Sequence, residues 1–144
     1  MHVDAIIKEK GKDVYATSPD ASLLVASSEL RDRDVGALLV LDDRRNIVGI
    51  ISERDIIQTI GARGKQALDL PVSMAMTRNV FTCQSGHSLT DVMQIMADNR
   101  LRHLPVVDEE QLQGMISIGD VVGRRIAETE MEVRAMRDYV GAAG

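Results

Sequence analysis

The chain has 144 residues, 44% of them hydrophobic; with Tyr15, Phe81 and Tyr139 its only aromatics, its core must be aliphatic, and its length suits one ordinary domain or two very small ones. Its 17 basic and 22 acidic residues leave a net charge of −5, with no basic stripe, which argues against a nucleic-acid partner. No apolar run is long enough to span a membrane, Met1-His2-Val3-Asp4 does not open a signal peptide, and the single cysteine, Cys83, excludes an internal disulfide, so the expected setting is a reducing cytoplasm.

Residues 3–10 carry Val3, Ile6 and Ile7 at helical spacing and stop at Gly11, predicting a short N-terminal helix over 1–11. Val14 to Thr17 reads as a short strand. Leu23, Ala26, Ser27 and Leu30 follow at helical spacing, and Ala37-Leu38-Leu39-Val40-Leu41 then forms an apolar strand ending at Asp42. The polar turn Asp42-Asp43-Arg44-Arg45-Asn46 is short enough for a hairpin returning as Ile47-Val48-Gly49-Ile50-Ile51. A helix then opens at Ser52, with Ile56, Ile57 and Ile60 as its apolar residues. Gly61, Gly64 and Pro71 break the pattern, so residues 61–73 read as a connection.

The same order then returns. Val80 to Thr82 is strand-like, and Leu89, Val92, Met93 and Met96 mark one helical face. Leu104-Pro105-Val106-Val107 is a strand ending at Asp108, and Leu112 to Ile116 its hairpin partner. A helix opens at Ser117 with Val121, Val122 and Ile126. Residues 124–140 carry Ile126, Met131, Val133, Met136 and Val140 among charges, predicting an amphipathic tail helix over 127–144 suited to packing or dimerisation.

The chain is therefore a tandem duplication. Thr17-Ser18-Pro19-Asp20 matches Thr82-Cys83-Gln84-Ser85, Gly36 to Asp42 matches Arg102 to Asp108, and Gly49 to Asp55 matches Gly114 to Asp120. The offsets are 65, 66 and 65, placing one extra residue near Gly86-His87 in the second copy. Each copy reads βαββα: a crossover plus a hairpin, giving a three-stranded mixed sheet with helices on one face. Such a sheet is marginal alone, so two copies are expected to pack sheet to sheet about a pseudo-twofold axis. The expected boundaries are 12–66 and 67–126.

A βαββα unit ending Gly-apolar-apolar-Ser-x-x-Asp, twice, resembles the CBS domain, over residues 12–126. Pro71-Val72-Ser73 with Met76-Thr77, Ser52-Glu53-Arg54-Asp55, and Arg102-His103-Leu104-Pro105-Val106 are similar to stand-alone bacterial CBS-pair proteins, or Bateman modules. The resemblance implies a regulatory protein without catalysis that binds AMP, ADP, ATP, NAD(H) or S-adenosylmethionine in clefts between its repeats. It further implies a homodimer formed through the CBS helices and a separate regulated protein target.

Physical chemistry gives the motif a reason. The first N–H groups of a helix lack internal partners and carry partial positive charge, which suits phosphate. A carboxylate on the first turn can accept from both hydroxyls of a ribose. The resemblance gives Asp55 and Asp120 that ribose role, beside Ser52 and Ser117. Ser-x-x-Asp is equally close to a capping box, which holds a helix start with no ligand at all.

Arg102 and His103 are phosphate candidates by resemblance, next to Pro105, and the guanidinium fork suits two oxygens. Copy one has Gly36-Ala37 there and offers Arg54 instead, where copy two has Gly119, leaving space near the backbone. The two sites are thus chemically unequal. By the same resemblance, Thr17 and Thr82 belong to the strand edge that would read adenine. Tyr15, Val35, Ile50, Val80, Leu101 and Met115 are candidate aliphatic and aromatic walls that serve equally well as core.

No GxGxxG, GxxxxGK[ST], CxxC or HxxxH spacing is present, so the three histidines and Cys83 do not form a catalytic or metal set. The competing function is a protein-interaction scaffold without ligand, for which eight methionines and the tail helix speak.

Overall fold

The computed structural model describes residues 2–143 and divides the chain into two compact units, one of Val14–Phe81, the other of the residues up to Asp13 together with those from Thr82 onward. Both are mixed α/β, with small sheets of three and two strands.

In the Val14–Phe81 unit, β1 (Ala16–Thr17) runs parallel to β2 (Ala37–Leu41), which is antiparallel to β3 (Ile47–Ser52). Helices α2 (Leu23–Arg33) and α3 (Glu53–Arg63) supply the cover. The hydroxyl of Ser22 caps α2 by accepting from the Val25 N–H at 3.1 Å. Asp34, at φ 53°, ends α2 in the left-handed region and returns its N–H to Leu30 and Arg31. Leu23, Ala26, Leu30, Leu38, Val40, Ile51 and Ile56 form the core with Val72 and Met76. Val72 comes from the segment 61–73 read as a connection, and Met76 from just beyond it. That segment holds two short 3-10 helices, Gly64–Asp69 and Val72–Met74, and folds back onto its own unit. Val72 N–H donates to the Ala21 carbonyl at 2.7 Å and Ser73 N–H to Pro19 at 3.0 Å.

The other unit holds α1 (Val3–Lys10), α4 (Leu89–Asn99), β4 (His103–Asp108), β5 (Gln111–Ser117) and α5 (Ile118–Ala143). Its core joins Val3, Ile6 and Ile7 of α1 to Leu89, Val92, Met96, Leu104, Val106, Ile116 and Val121. The N-terminal segment does for this unit what residues 72–76 do for the first. Val3 N–H donates to His87 and Asp4 N–H to Ser85, both at 3.0 Å, and Val3 and Val72 are each fully buried. The glycines repeat the correspondence: a Cβ on Gly49 would lie 2.6 Å from Met76 Sδ, and one on Gly114 2.8 Å from Ile7 Cδ1. Each repeat therefore closes its core with a segment that its own βαββα pattern does not contain.

Three expectations change. The expected third strand of the second copy, Val80–Thr82, does not form; one parallel bridge, Cys83 with Val106, replaces it. The cause is Pro105. In the first copy Leu39 N–H donates to the Tyr15 carbonyl at 3.1 Å, and at the equivalent rung the second copy has a proline, which has no N–H. The ladder stops after Cys83 N–H to Pro105 O, 3.0 Å, and Val107 N–H to Cys83 O, 2.8 Å. The bridge also corrects the alignment. Thr17 pairs with Val40 and Cys83 with Val106, so Thr17 corresponds to Cys83 rather than Thr82, and no extra residue lies near Gly86-His87. Finally, the tail is no separate helix: α5 runs unbroken for 26 residues.

Candidate functional site

The two strand-to-helix junctions are built alike. In the first, Ala37 is the β-partner of Ser52, and Glu53 N–H donates to the Gly36 carbonyl at 3.0 Å. In the second, His103 is the partner of Ser117, and Ile118 N–H donates to the Arg102 carbonyl at 2.8 Å. The fold thus brings Gly36, Ala37, Ser52 and Asp55 together in one unit, and Arg102, His103, Ser117 and Asp120 together in the other.

Both Ser-x-x-Asp elements close as capping boxes. Asp55 N–H donates to Ser52 Oγ at 3.2 Å, and Ser52 N–H donates back to Asp55 Oδ2 at 2.9 Å. Ser52 Oγ also lies 3.0 Å from Asp55 Oδ2. The second copy repeats this with 3.1 Å for Asp120 N–H to Ser117 Oγ and 2.8 Å for Ser117 N–H to Asp120 Oδ2. Aspartate thus reaches the cap amide in both places.

What surrounds each carboxylate differs. Thr77 Oγ1 stands 3.5 Å from Asp55 Oδ1, at the limit of a hydrogen bond. Asp120 Oδ2 instead accepts from Lys10 Nζ at 2.8 Å, and the same ammonium donates to the Met115 carbonyl at 3.1 Å. Burial pushes the Asp120 carboxyl up, but the bond and charge of Lys10 and the Ser117 amide outweigh it and hold the group below the usual carboxylate range.

A groove adjoins each aspartate. One of about 240 Å³ is lined by Asp55, Thr59, Ala62, Arg63 and Met74. One of about 360 Å³ is lined by Asp120, Gly119, Gly123, Arg124, Ala127 and Lys10. Thr59 and Ala62 correspond to Arg124 and Ala127, so the two grooves are the same feature in the two units. The second is larger and more charged: Arg124 Nη1 meets Glu9 Oε2 at its wall at 3.2 Å. Gly119 and Gly123 contribute no Cβ to its helix side, and a Cβ at Gly123 would meet nothing within 4 Å.

The remaining predicted residues are more scattered. Arg54 and Arg102 are exposed, Gly119 is exposed, and His103 is half-buried. Ala37 and Pro105 are buried, which leaves their backbones to act. Thr17 pairs with Val40, three residues along β2 from Ala37, roughly 10 Å from the Ser52 junction. Thr82 is exposed, and Val80 falls in the other unit from it. The wall candidates Tyr15, Val35, Ile50, Leu101 and Met115 are all half-buried. Sequence reasoning missed Lys10, Thr77, Glu9 and Arg124. Lys10 and Asp120 are 110 residues apart, and no local pattern joins them. Among the described residues no group of three His, Cys, Asp or Glu side chains could hold a metal ion, and no helix is long and apolar enough to cross a membrane.

Comparison with known proteins gives consistent results. The family model for the CBS domain matches twice, over residues 7–62 and 71–126. The crystal structure of the CBS-domain containing protein ATU1752 from Agrobacterium tumefaciens superposes with a TM-score of 0.85 at 39% identity, covering 86% of this chain and 92% of that one. An uncharacterized 17.7 kDa protein of Acidianus ambivalens is 35% identical over 109 residues, 75% of this chain and 65% of the relative, so the chain spans somewhat less than two thirds of that protein. The CBS domain pair of protein MJ0100, solved in complex with 5′-methylthioadenosine and S-adenosyl-L-methionine, shares the fold at a TM-score of 0.77 and 23% identity, covering 90% of this chain and 98% of that one.

Proposed function

The chain belongs to the CBS-domain family, and from that premise we propose that it is a regulatory module that senses an adenosine nucleotide and does no chemistry of its own. The ligand class is AMP, ADP, ATP or NAD(H), with S-adenosylmethionine as a further member. Asp55 and Asp120 hold ribose hydroxyls. The N-termini of α3 and α5 attract phosphate, assisted by Arg54 in one unit and Arg102 and His103 in the other. The occupied state is passed to a partner protein.

One observation carries this reading: the same carboxylate, at the same helix start, lines a groove in both units. Family chemistry supports it, since the related MJ0100 pair takes two adenosine compounds. The unequal surroundings, Thr77 on one side and Lys10 with Arg124 on the other, favour unequal occupancy, with the more anionic ligand at the second site.

A ligand-free scaffold is the second reading. It is favoured by the capping boxes, which already commit both carboxylates. The discriminating experiment is a thermal-shift and calorimetric panel of AMP, ADP, ATP, NADH and S-adenosylmethionine on the parent, Asp55→Asn and Asp120→Asn. Asparagine retains an acceptor for the cap amide, so folding survives while the charge-assisted ribose contact is lost. The parent should gain about 2.7 kcal/mol at a hundredfold excess over the dissociation constant, and each variant should lose one site. No response from the parent would favour the scaffold. A parent response that both variants reproduce would remove the ribose assignment.

A further inference from the structure

Beyond ligand sensing, we propose that α5 forms a parallel two-stranded coiled coil with α5 of a second copy of this chain. The inward side of its first turns is occupied: Val121 and Glu128 are buried against their unit and Arg124 is half-buried. A different row of residues is left uncovered. Val122, Ile126, Thr129, Val133, Met136 and Val140 follow one another at alternating steps of four and three, the spacing of a two-stranded seam. All are exposed, Met136 at 70% and Val140 at 65%. Met131 lies off this row and belongs to the outer surface.

Two further features select the occupant. From Thr129 to Gly141 every side chain is exposed, yet the helix continues. A helix of that length without packing is marginal in water, so the segment needs a surface to cover it. The first turns, anchored on the folded unit, remove the nucleation cost. The flanking charges then identify the partner. With Ile126, Val133 and Val140 at the first seam position, the residues beside the seam are Arg125 and Glu132 on one side and Glu130 and Arg137 on the other. In a parallel pair each of the former meets the latter five residues on in its neighbour. Arg125 therefore faces Glu130 of the second copy, and Glu132 faces Arg137 of the second copy. Both pairs are attractive, and both occur twice by symmetry. The seam starts on the closing helix of the second repeat, at Val122 and Ile126, and continues along the tail.

The test is the solution mass of the full chain by sedimentation equilibrium, with circular dichroism confirming folding. Val133→Asp should halve the mass, whereas Ala135→Asp, off the seam, should leave it unchanged. Glu132→Arg and Arg137→Glu should each weaken association about tenfold, equivalent to ~1.4 kcal/mol, and the double variant should restore it. Residues 132 and 137 do not face each other on one helix, so the rescue reports a contact between copies. Val140→Cys should cross-link quantitatively on oxidation, because a parallel pair sets the two residues 140 side by side, whereas an antiparallel pair places them about 27 Å apart. A parent mass that Val133→Asp does not change, failure of the charge rescue, or absence of the cross-link would each overturn the proposal.

Discussion

Lys10 Nζ lies 2.8 Å from Asp120 Oδ2, tying the last residue of α1 to the first turn of α5. Because Lys10 helps hold the Asp120 carboxyl below its usual range, the pair has a defined pH signature. A carboxyl whose folded pKa is depressed stabilises the fold above its unfolded pKa, about 3.9, and loses that contribution as pH falls through the lower folded value. Lys10→Met removes the downward pull of Lys10 and leaves burial, which pushes the group up, opposed only by the bonds from Ser117. The parent should therefore exceed Lys10→Met by roughly 0.5–1 kcal/mol at neutral pH, a modest figure because both side chains are partly solvated. The gap should close as acid protonates the carboxyl in both proteins. Urea denaturation at a series of pH values measures it; a gap that is constant with pH would show that the loss is packing alone.

Gly49 and Gly114 predict different responses to one added methyl group. A Cβ at Gly49 would meet Met76 Sδ at 2.6 Å and the Thr77 carbonyl oxygen, part of the backbone, at 3.1 Å. At Gly114 the closest atom is Ile7 Cδ1 at 2.8 Å, the end of a side chain. Both alanine variants should be destabilised by about 1–3 kcal/mol, Gly49→Ala through contact with backbone, and Gly114→Ala through the Ile7 contact together with its φ of 159°. Ile7→Val removes the offending δ-methyl, so it should recover part of the cost of Gly114→Ala. A purely additive double-mutant cycle would exclude this close contact as the cause.

These two sites also show where sequence reasoning reaches and where it stops. The spacing of Leu89, Val92, Met93 and Met96 and the polar turn after Asp42 were legible because each is a local pattern read within one element. The βαββα order of the first copy, and the αββα order of the second, followed from such patterns. The missing third strand was legible in principle, since Pro105 stands inside an apparent strand and cannot donate to a neighbour. The partners of the two glycines were not. Met76 and Ile7 belong to segments on opposite sides of the first copy, and only the closed cores show that the two segments are equivalent. At the candidate site the paired Ser-x-x-Asp elements were readable as either ribose holders or caps, and the capping bonds are present in both. Thr77 stood inside a quoted motif without a role, and Lys10, which makes the second carboxylate different, carried no local signal.

Cys83 should be chemically silent in the native protein. It is 1% exposed, and burial, with the Asp108 charge adding to it, pushes its thiol up to about 12. Thiolate is the reactive form, so at mildly alkaline pH almost none is present. A disulfide-exchange reagent should leave the native chain unmodified over the time in which it titrates one thiol per chain in denaturant. Rapid native labelling would mean that the Cys83–Val106 bridge opens readily.

The hairpin between β4 and β5 carries a removable strain. Asp108 pairs with Gln111, so Glu109 and Glu110 form a two-residue loop, and both take positive φ, 50° and 64°. That geometry suits a type I′ turn, which favours Asn-Gly because left-handed backbone angles cost side-chain-bearing residues free energy. Two adjacent glutamates also repel each other there. Glu109→Asn with Glu110→Gly keeps the loop length and the register, and the left-handed angles then suit both residues. The double variant should be stabilised by about 1 kcal/mol, although glycine also loosens the unfolded chain and offsets part of the gain. Glu110→Pro, whose ring fixes φ near −65°, should instead destabilise the hairpin. Thermal unfolding of the three proteins decides the matter. Equal midpoints for the parent and the Asn-Gly variant would mean that the glutamates hold this turn without strain.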